Sequence, residues 1–500
     1  VRPLDLLIVV AYLALVVGAG FWFGRRQQST RRYFLAGHQV PWWAIAASIV
    51  ATETSTITFI SVPGIAWAQG GDFRFLQVVL GYALARVIIA AVFMPWYWPP
   101  PTSGRPAAGS AASALASGSR LWPRGELVTV YQLLQTRFGG AVRRLAASLF
   151  VLMRTLADGV RLLLTAFVLA AVFEGLGVAG SIVALGVVMI LFTLLGGIEA
   201  VVWLEVVQLL IYLVGALAAA AVLLGHVGFG EALAAGAAAG KLRVFDFSLD
   251  LTRSYTFWSG LIGGTFLTLS THGTDQYLVQ RYLCTDRARS AAKALLASAL
   301  VVFLQFALFL FIGVLLFAFY REGVPVTAPD RVFPHFIANH LPVGLSGLVV
   351  AAILAAAMSS SLNAVAATVI TDLGPDRGRP RDDGRNLRLS RVLTVLAGLA
   401  QIGVGLAMRE SARSALDTVL AIAALVNGPI LGVFFLGATR RATPTAALVG
   451  MTAGIATVAT VAFATPVAWP WYAVVGSLVT FGAGMTATLL SPARPLPAAR

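Results

Sequence analysis

The chain has 500 residues, 58% of them hydrophobic and only 11% charged, with a formal net charge of +15. Soluble domains carry roughly 25% charged residues, so this composition excludes a water-soluble enzyme or binding module. The basic excess raises nucleic acid as a partner, but its placement along the chain removes that reading.

Apolar runs of about 20 residues, each long enough to cross a bilayer core, recur from end to end. Hydropathy predicts about thirteen spans, centred on residues 4–23, 41–69, 73–97, 141–172, 177–197, 199–225, 255–284, 290–320, 344–373, 387–408, 414–438, 443–465 and 469–490. The first run is too long for a typical signal-peptide apolar region and lacks a basic leader, so it reads as a retained helix. Residues 98–123, rich in Pro, Ala, Ser and Gly, read as a low-complexity loop that cannot pack. Amphipathic stretches near 126–138 and 330–341 read as surface helices. Cys284 is the only cysteine, which rules out an intrachain disulfide framework.

Basic residues concentrate in alternate loops. Arg25, Arg26, Arg31 and Arg32 follow the first span, and Arg105, Arg120, Arg124, Arg137, Arg143 and Arg144 follow the third. Arg281, Arg287, Arg289 and Lys293 follow the seventh; Arg377, Arg379, Arg381, Arg385, Arg388 and Arg391 follow the ninth; Arg440 and Arg441 follow the eleventh. The other loops are poor in Lys and Arg. The positive-inside rule then puts the N-terminus outside and the C-terminus in the cytoplasm of a multi-pass plasma (inner) membrane protein. The charge sets topology and needs no polyanion.

Two spans are interrupted. The 41–69 segment contains the polar run Thr52-Glu53-Thr54-Ser55-Thr56-Ile57-Thr58 and then Pro63-Gly64; the 255–284 segment contains Ser270-Thr271-His272-Gly273-Thr274-Asp275-Gln276. Backbone leaves the helix at membrane depth only where protein or a cavity satisfies it. Each interrupted span opens a block of five, and an odd-numbered block inserts with inverted topology. Paired broken helices in inverted halves point to a binding site at mid-depth. The fold class is therefore an all-α polytopic membrane protein with a five-plus-five inverted-repeat core. Its parts are a peripheral helix and basic loop (1–30), the ten-helix core (31–438) and two C-terminal helices with a short tail (439–500).

Four ordered motifs carry a family resemblance: RRYFLAGHQVPWWAIAASIVATETSTITFISVPGIAWAQGG (31–71), GGIEAVVWLEVVQ (196–208), GTDQYLVQRYL (273–283) and AAILAAAMSSSLNAVAATVITDL (351–373). Together they resemble the sodium/solute symporter family, whose fold is of the leucine-transporter inverted-repeat type. The resemblance implies alternating-access symport of a small organic solute with Na+ as coupling ion, no other cofactor and no enzymatic activity. It puts sodium ligands at the carbonyls of Ala51 and Thr54 and at a hydroxyl pair. Matching AAILAAAM assigns that pair to Ser359 and Ser360; matching Asn363 and Asp372 instead puts Ala356 and Ala357 there. The first assignment keeps sodium coupling and is the one taken.

Glu205 resembles a carboxylate on the sodium release path. Glu53 lies inside the unwound stretch, as a coupling residue for sodium or protons, or as a salt-bridge partner of Arg86 or Arg154. Ser55, Thr58 and Gln77 match solute-contacting positions of sugar- and sialic-acid-carrying relatives. Thr271, His272 and Asn427 are further solute candidates. Arg154, Asp158 and Arg161 read as an ion-paired ladder along one helix face, and Trp42, Trp43, Trp96 and Trp98 as interfacial anchors. Proton coupling through Glu53 is the alternative within transporters, and a transporter-like sensor the less expected one.

The arginine asymmetry makes a direct prediction. A single cysteine placed within 375–386 is labelled by an impermeant maleimide only from the cytoplasmic side; labelling from outside intact cells reverses the assigned orientation.

Overall fold

The structure, a computed structural model, describes residues 3–25, 29–54, 56–98, 127–172, 175–321, 323, 329–357, 361–374, 383–409, 415–439 and 441–490. Helices and loops account for all of the described residues. The first half runs α1 (Pro3–Gly24), α2 (Trp42–Glu53), α3 (Thr56–Trp67), α4 (Leu76–Tyr97), α5 (Gly140–Val172), α6 (Gly177–Leu194) and α7 (Gly196–Val227). The second half runs α8 (Gly264–Gly273), α9 (Gln276–Leu283), α10 (Ala288–Phe319), α11 (Leu345–Ala357), α12 (Leu362–Leu373) and α13 (Asp383–Met408). It ends with α14 (Ala415–Gly437), α15 (Pro444–Ala464) and α16 (Pro470–Leu490). Among the described residues, eight helices are long and apolar enough to span a membrane by themselves, and α2 with α3, bent by 57°, makes a ninth. Counting α8/α9 and α11/α12 as interrupted crossings and adding α5 and α14 gives thirteen among the described residues. The amphipathic stretches form the short helices Tyr131–Phe138 and Pro329–His340.

Local chemistry sets the boundaries. The spans α6 and α7 meet without a loop at Gly197, whose φ is +57°; a Cβ there would also lie 2.8 Å from the Tyr33 carbonyl oxygen. Glycine alone meets both demands cheaply. Asp275 caps α9 by accepting a 2.8 Å bond from the Tyr277 N–H, which fixes the second interruption at Thr274–Asp275. Pro63, expected to add a second break to the first segment, lies inside α3. Gly313 of α10 packs directly on the Pro63 carbonyl, so neighbouring protein holds the kink-prone turn in helix, as membrane interiors permit. The interrupted helices sit centrally: α2 and α3 pack on α10, and α8 packs on α4.

Two charges pin the periphery. Asp5 of α1 accepts bonds from Gly344 N (2.7 Å), Gly347 N (2.8 Å) and Ser346 Oγ (2.8 Å), satisfying the orphan donors at the start of α11. The buried Lys241 ammonium donates to the carbonyls of Ala66 (2.9 Å), Trp67 (3.0 Å), Ala68 (2.8 Å) and Gly71 (3.3 Å), closing the C-terminus of α3.

Three sequence assignments change. Arg281, counted among loop charges, is buried within α9, and the loop's basic character rests on Arg287, Arg289 and Lys293. Trp96 is buried against Phe93, with ring centroids 4.6 Å apart, so it packs the core rather than the interface. Arg143 is likewise buried, 3.9 Å from Asp372.

Replacing Lys241 with Met leaves the end of α3 without its donor. Charge-assisted hydrogen bonds are worth about 1.5–3 kcal/mol, so Lys241→Met lowers stability by about 2 kcal/mol. Arg321→Met, which removes an exposed pair with Glu231, changes it by less than about 1 kcal/mol. Melting both variants in the same detergent checks the contrast.

Candidate solute and cation site

In the polar run of the first interrupted span, Thr52 and Thr54 are buried and Glu53 and Thr58 are half-buried, so these side chains turn into the bundle. Thr54 ends α2: its N–H and its hydroxyl both return to the Val50 carbonyl (2.9 Å each), and the hydroxyl donates to Gln305 Oε1 of α10 (2.7 Å). Thr58 Oγ1 donates to the Glu53 carbonyl (3.2 Å), bridging the break. Ala51 is buried in the last turn of α2.

Glu53 points across the break. One carboxylate oxygen accepts from Arg86 Nη2 of α4, and the other lies 3.1 Å from His272 Nε2 of α8. The Arg86 side chain is fully enclosed, while Glu53 keeps 12% of its side chain exposed. His272 Nδ1 is 3.1 Å from Thr271 Oγ1. One acid thus joins the end of α2 to the end of α8. Of the two arginines offered by the sequence as its partner, Arg86 is the one in contact.

Arg154 pairs elsewhere. It donates to Asp275 in the second interruption and stacks over the Tyr277 ring at 4.5 Å. The intrahelical ladder is reduced to Asp158–Arg161 at 3.4 Å, and Ser361 donates to Asp158 Oδ2 while accepting from Gln401 Nε2 (3.3 Å).

Glu205 is enclosed. Arg281 Nη2 donates to its Oε1 (2.5 Å) and Arg281 Nε to its Oε2 (3.2 Å). Thr52 Oγ1 donates to Oε1 (3.2 Å), and Ser48 donates to Oε2. The pair is therefore side-on and backed by α2 hydroxyls. Arg281 also lies over Tyr277, at 4.4 Å, so that ring sits against two guanidinium groups.

Gln77 lies away from the breaks. Its Nε2 donates to the carbonyls of Arg74 (3.1 Å) and Tyr255 (3.3 Å), and its Oε1 accepts from Asp246 N (3.0 Å). These ties bind the start of α4 to the loop before α8. Asp246 there meets Arg74 at 3.0 Å, Arg253 at 3.2 Å and Arg243 at 3.6 Å. Burial opposes its ionisation, but the Ser248 N–H and the arginines outweigh it, holding its carboxyl below the usual aspartate range.

The structure therefore brings Thr54, Thr58, Glu53, Thr271 and His272 together at the breaks. It puts Asn427 in the buried stretch of α14 and keeps Gln77 on the loop side of α4. Ser55, Ser359 and Ser360 lie outside the described residues. Sequence reading missed Gln305, Arg281 and Tyr277 as parts of these clusters. Arg281 of GTDQYLVQRYL falls inside the predicted 255–284 span rather than after it, and that was the available signal.

The profile of the Sodium:solute symporter family matches residues 33–454. The sodium/sialic acid symporter NanT of Aliivibrio fischeri is 32% identical, covering 95% of this chain and 91% of that protein. The human sodium/iodide cotransporter is 28% identical, covering 90% and 68% respectively. Among solved structures, a substrate-bound, outward-open Na+-coupled sialic acid symporter superposes with a TM-score of 0.86 at 26% identity, covering 99% of this chain and all of that one. The chain belongs to the sodium:solute symporter family: it is an integral membrane transporter, not an enzyme, that couples a small solute to Na+.

Proposed function

We propose that the protein imports a small organic solute by alternating access, driven by sodium entry. The observation that carries this is the Glu53–His272 contact, which joins the ends of both broken helices beside the enclosed Arg86. A polar, partly exposed centre between two interrupted helices is what a carrier needs and what plain lipid-facing packing does not produce.

Sodium sits between the carbonyls of Ala51 and Thr54 and the hydroxyls of Ser359 and Ser360, and leaves along a path governed by Glu205. Thr58, Thr271 and His272 line the solute position with Ser55, and Asn427 acts from its margin; Gln77, expected as a solute contact, instead ties the start of α4 to the loop before α8. Glu53 couples the two. The loop arginines put the N-terminus outside and the C-terminus in the cytoplasm. Proton coupling is less well supported, because Glu53 is already engaged by Arg86 and the relatives named above are sodium-coupled.

Uptake into proteoliposomes under an imposed sodium or proton gradient tests this. Replacing Ser359 and Ser360 with Ala removes two oxygens; at about 1 kcal/mol for each lost ligand, apparent sodium affinity falls roughly tenfold or more. Solute affinity falls with it, because linkage is reciprocal. Glu53→Gln retains sodium-dependent uptake at altered affinity. Normal sodium stimulation in the double serine variant rejects the ligand placement, and uptake driven only by a proton gradient rejects sodium coupling.

A further inference from the structure

Arg86 is an arginine with most of its donors unused. Its side chain has no solvent exposure, one nitrogen serves Glu53, and Nε and Nη1 are buried without an acceptor. At the same break, the Gln305 amide meets the Thr54 hydroxyl at 2.7 Å and keeps its other end buried without a partner. The Tyr282 hydroxyl, also buried and unbonded, lies within electrostatic reach of Arg86 and Glu53. Folded proteins leave few buried polar groups unpaired, and those that remain mark a missing partner. Here the unpaired groups come from three helices, Arg86 of α4, Gln305 of α10 and Tyr282 of α9, and an arginine, which can only donate, heads them. Their complement is a group made only of acceptors, such as a carboxylate.

Charge accounting agrees. Arg86 and Glu53 cancel. A neutral solute would leave the spare guanidinium donors unfilled, whereas an anion fills them but brings an uncompensated negative charge into a low-dielectric centre. A sodium ion bound at the neighbouring break supplies the missing positive charge.

We propose that Arg86 is the anion-binding residue of the solute site, so that the transported solute carries a carboxylate or an equivalent anionic group. This rests on the solute-site reading above and narrows it to a substrate class. Glu53 keeps Arg86 neutralised in the empty site, which makes anion binding depend on sodium. Removing the Glu53 charge leaves an uncompensated guanidinium that draws the anion without sodium. Removing the Arg86 charge leaves an uncompensated carboxylate that repels it.

The test is thermal-shift titration of the full-length protein in nanodiscs, in sodium and in choline. The probes are acids matched to uncharged counterparts: lactate with lactamide, gluconate with glucose, and N-acetylneuraminate with N-acetylmannosamine. At least one acid is expected to stabilise the protein in sodium only, with its counterpart inert. Arg86→Gln weakens that acid more than tenfold, and Arg86→Lys weakens it less. Glu53→Gln retains acid binding and gains affinity for the acid in choline, so the difference between sodium and choline narrows without vanishing. The double variant Arg86→Gln with Glu53→Gln buries no unpaired charge, so it folds where a single variant does not, and it too loses the acid. The proposal is overturned if a counterpart binds as well as its acid, if no acid binds in sodium, or if the acid's affinity stays within twofold in Arg86→Gln or in the double variant. Failure of the underlying sodium-symport reading looks different: sodium alone then gives no stabilisation of the solute-free protein over choline.

Discussion

A helix that stops inside a membrane bundle leaves backbone ends and polar side chains that lipid cannot satisfy. In this protein α2 and α8 both stop inside the bundle, and the Glu53 carboxylate holds their ends together by meeting Arg86 on one side and His272 on the other. A lone buried carboxylate is costly to keep ionised, and a lone buried guanidinium is as costly, so each holds the other in place. The remainder of the centre is arranged around that contact. Thr58 closes the break on the Glu53 carbonyl, and Thr54 hands its hydroxyl to Gln305.

A second set of charges lies towards the α9 end of the bundle. Arg281 joins α9 to Glu205 of α7 and to Ser48 of α2, while Arg154 joins α5 to Asp275, which is also the N-cap of α9. Tyr277 lies against both guanidinium groups, and an aromatic face near a cation is favourable chiefly when both are desolvated. Breaking one member of such a pair strands its partner as an uncompensated buried charge, which holds each pair closed.

The fold was largely legible because hydropathy is a strong one-dimensional signal. Thirteen apolar runs, polar interruptions at Glu53 and Thr274, and glycines at 196–197 each translate directly into local structure. Partner choice was less legible. Arg154 had Asp158 one turn away, yet its contact is Asp275, 121 positions distant, and only the packing of α5 against the second interruption decides between them. Gln77 shows the same limit from another side. Its position in the sequence marks a solute contact, but three-dimensional proximity to the loop 241–256 commits its amide to backbone groups. Pro63 read as a break because the approach of Gly313 is invisible in sequence. The hydroxyl pair at 359–360 lies outside the described residues, so its role rests on the motif.

The loop 241–256 explains why one central contact can matter to the whole molecule. Its first residue, Lys241, caps α3; Asp246 and the Tyr255 carbonyl hold the start of α4; and the loop then runs into α8. The other half of the first broken span, α2, meets α4 and α8 at Glu53, Arg86 and His272. On α4, Gln77 and Arg86 are nine residues apart, about 13.5 Å along a helix rising about 1.5 Å per residue. The two broken spans and α4 are therefore tied to one another at two well-separated levels. The Arg154–Asp275 pair ties α5 to this group at the level of the second break. With ion and solute placed at the breaks, as proposed above, coupling between them needs no long pathway.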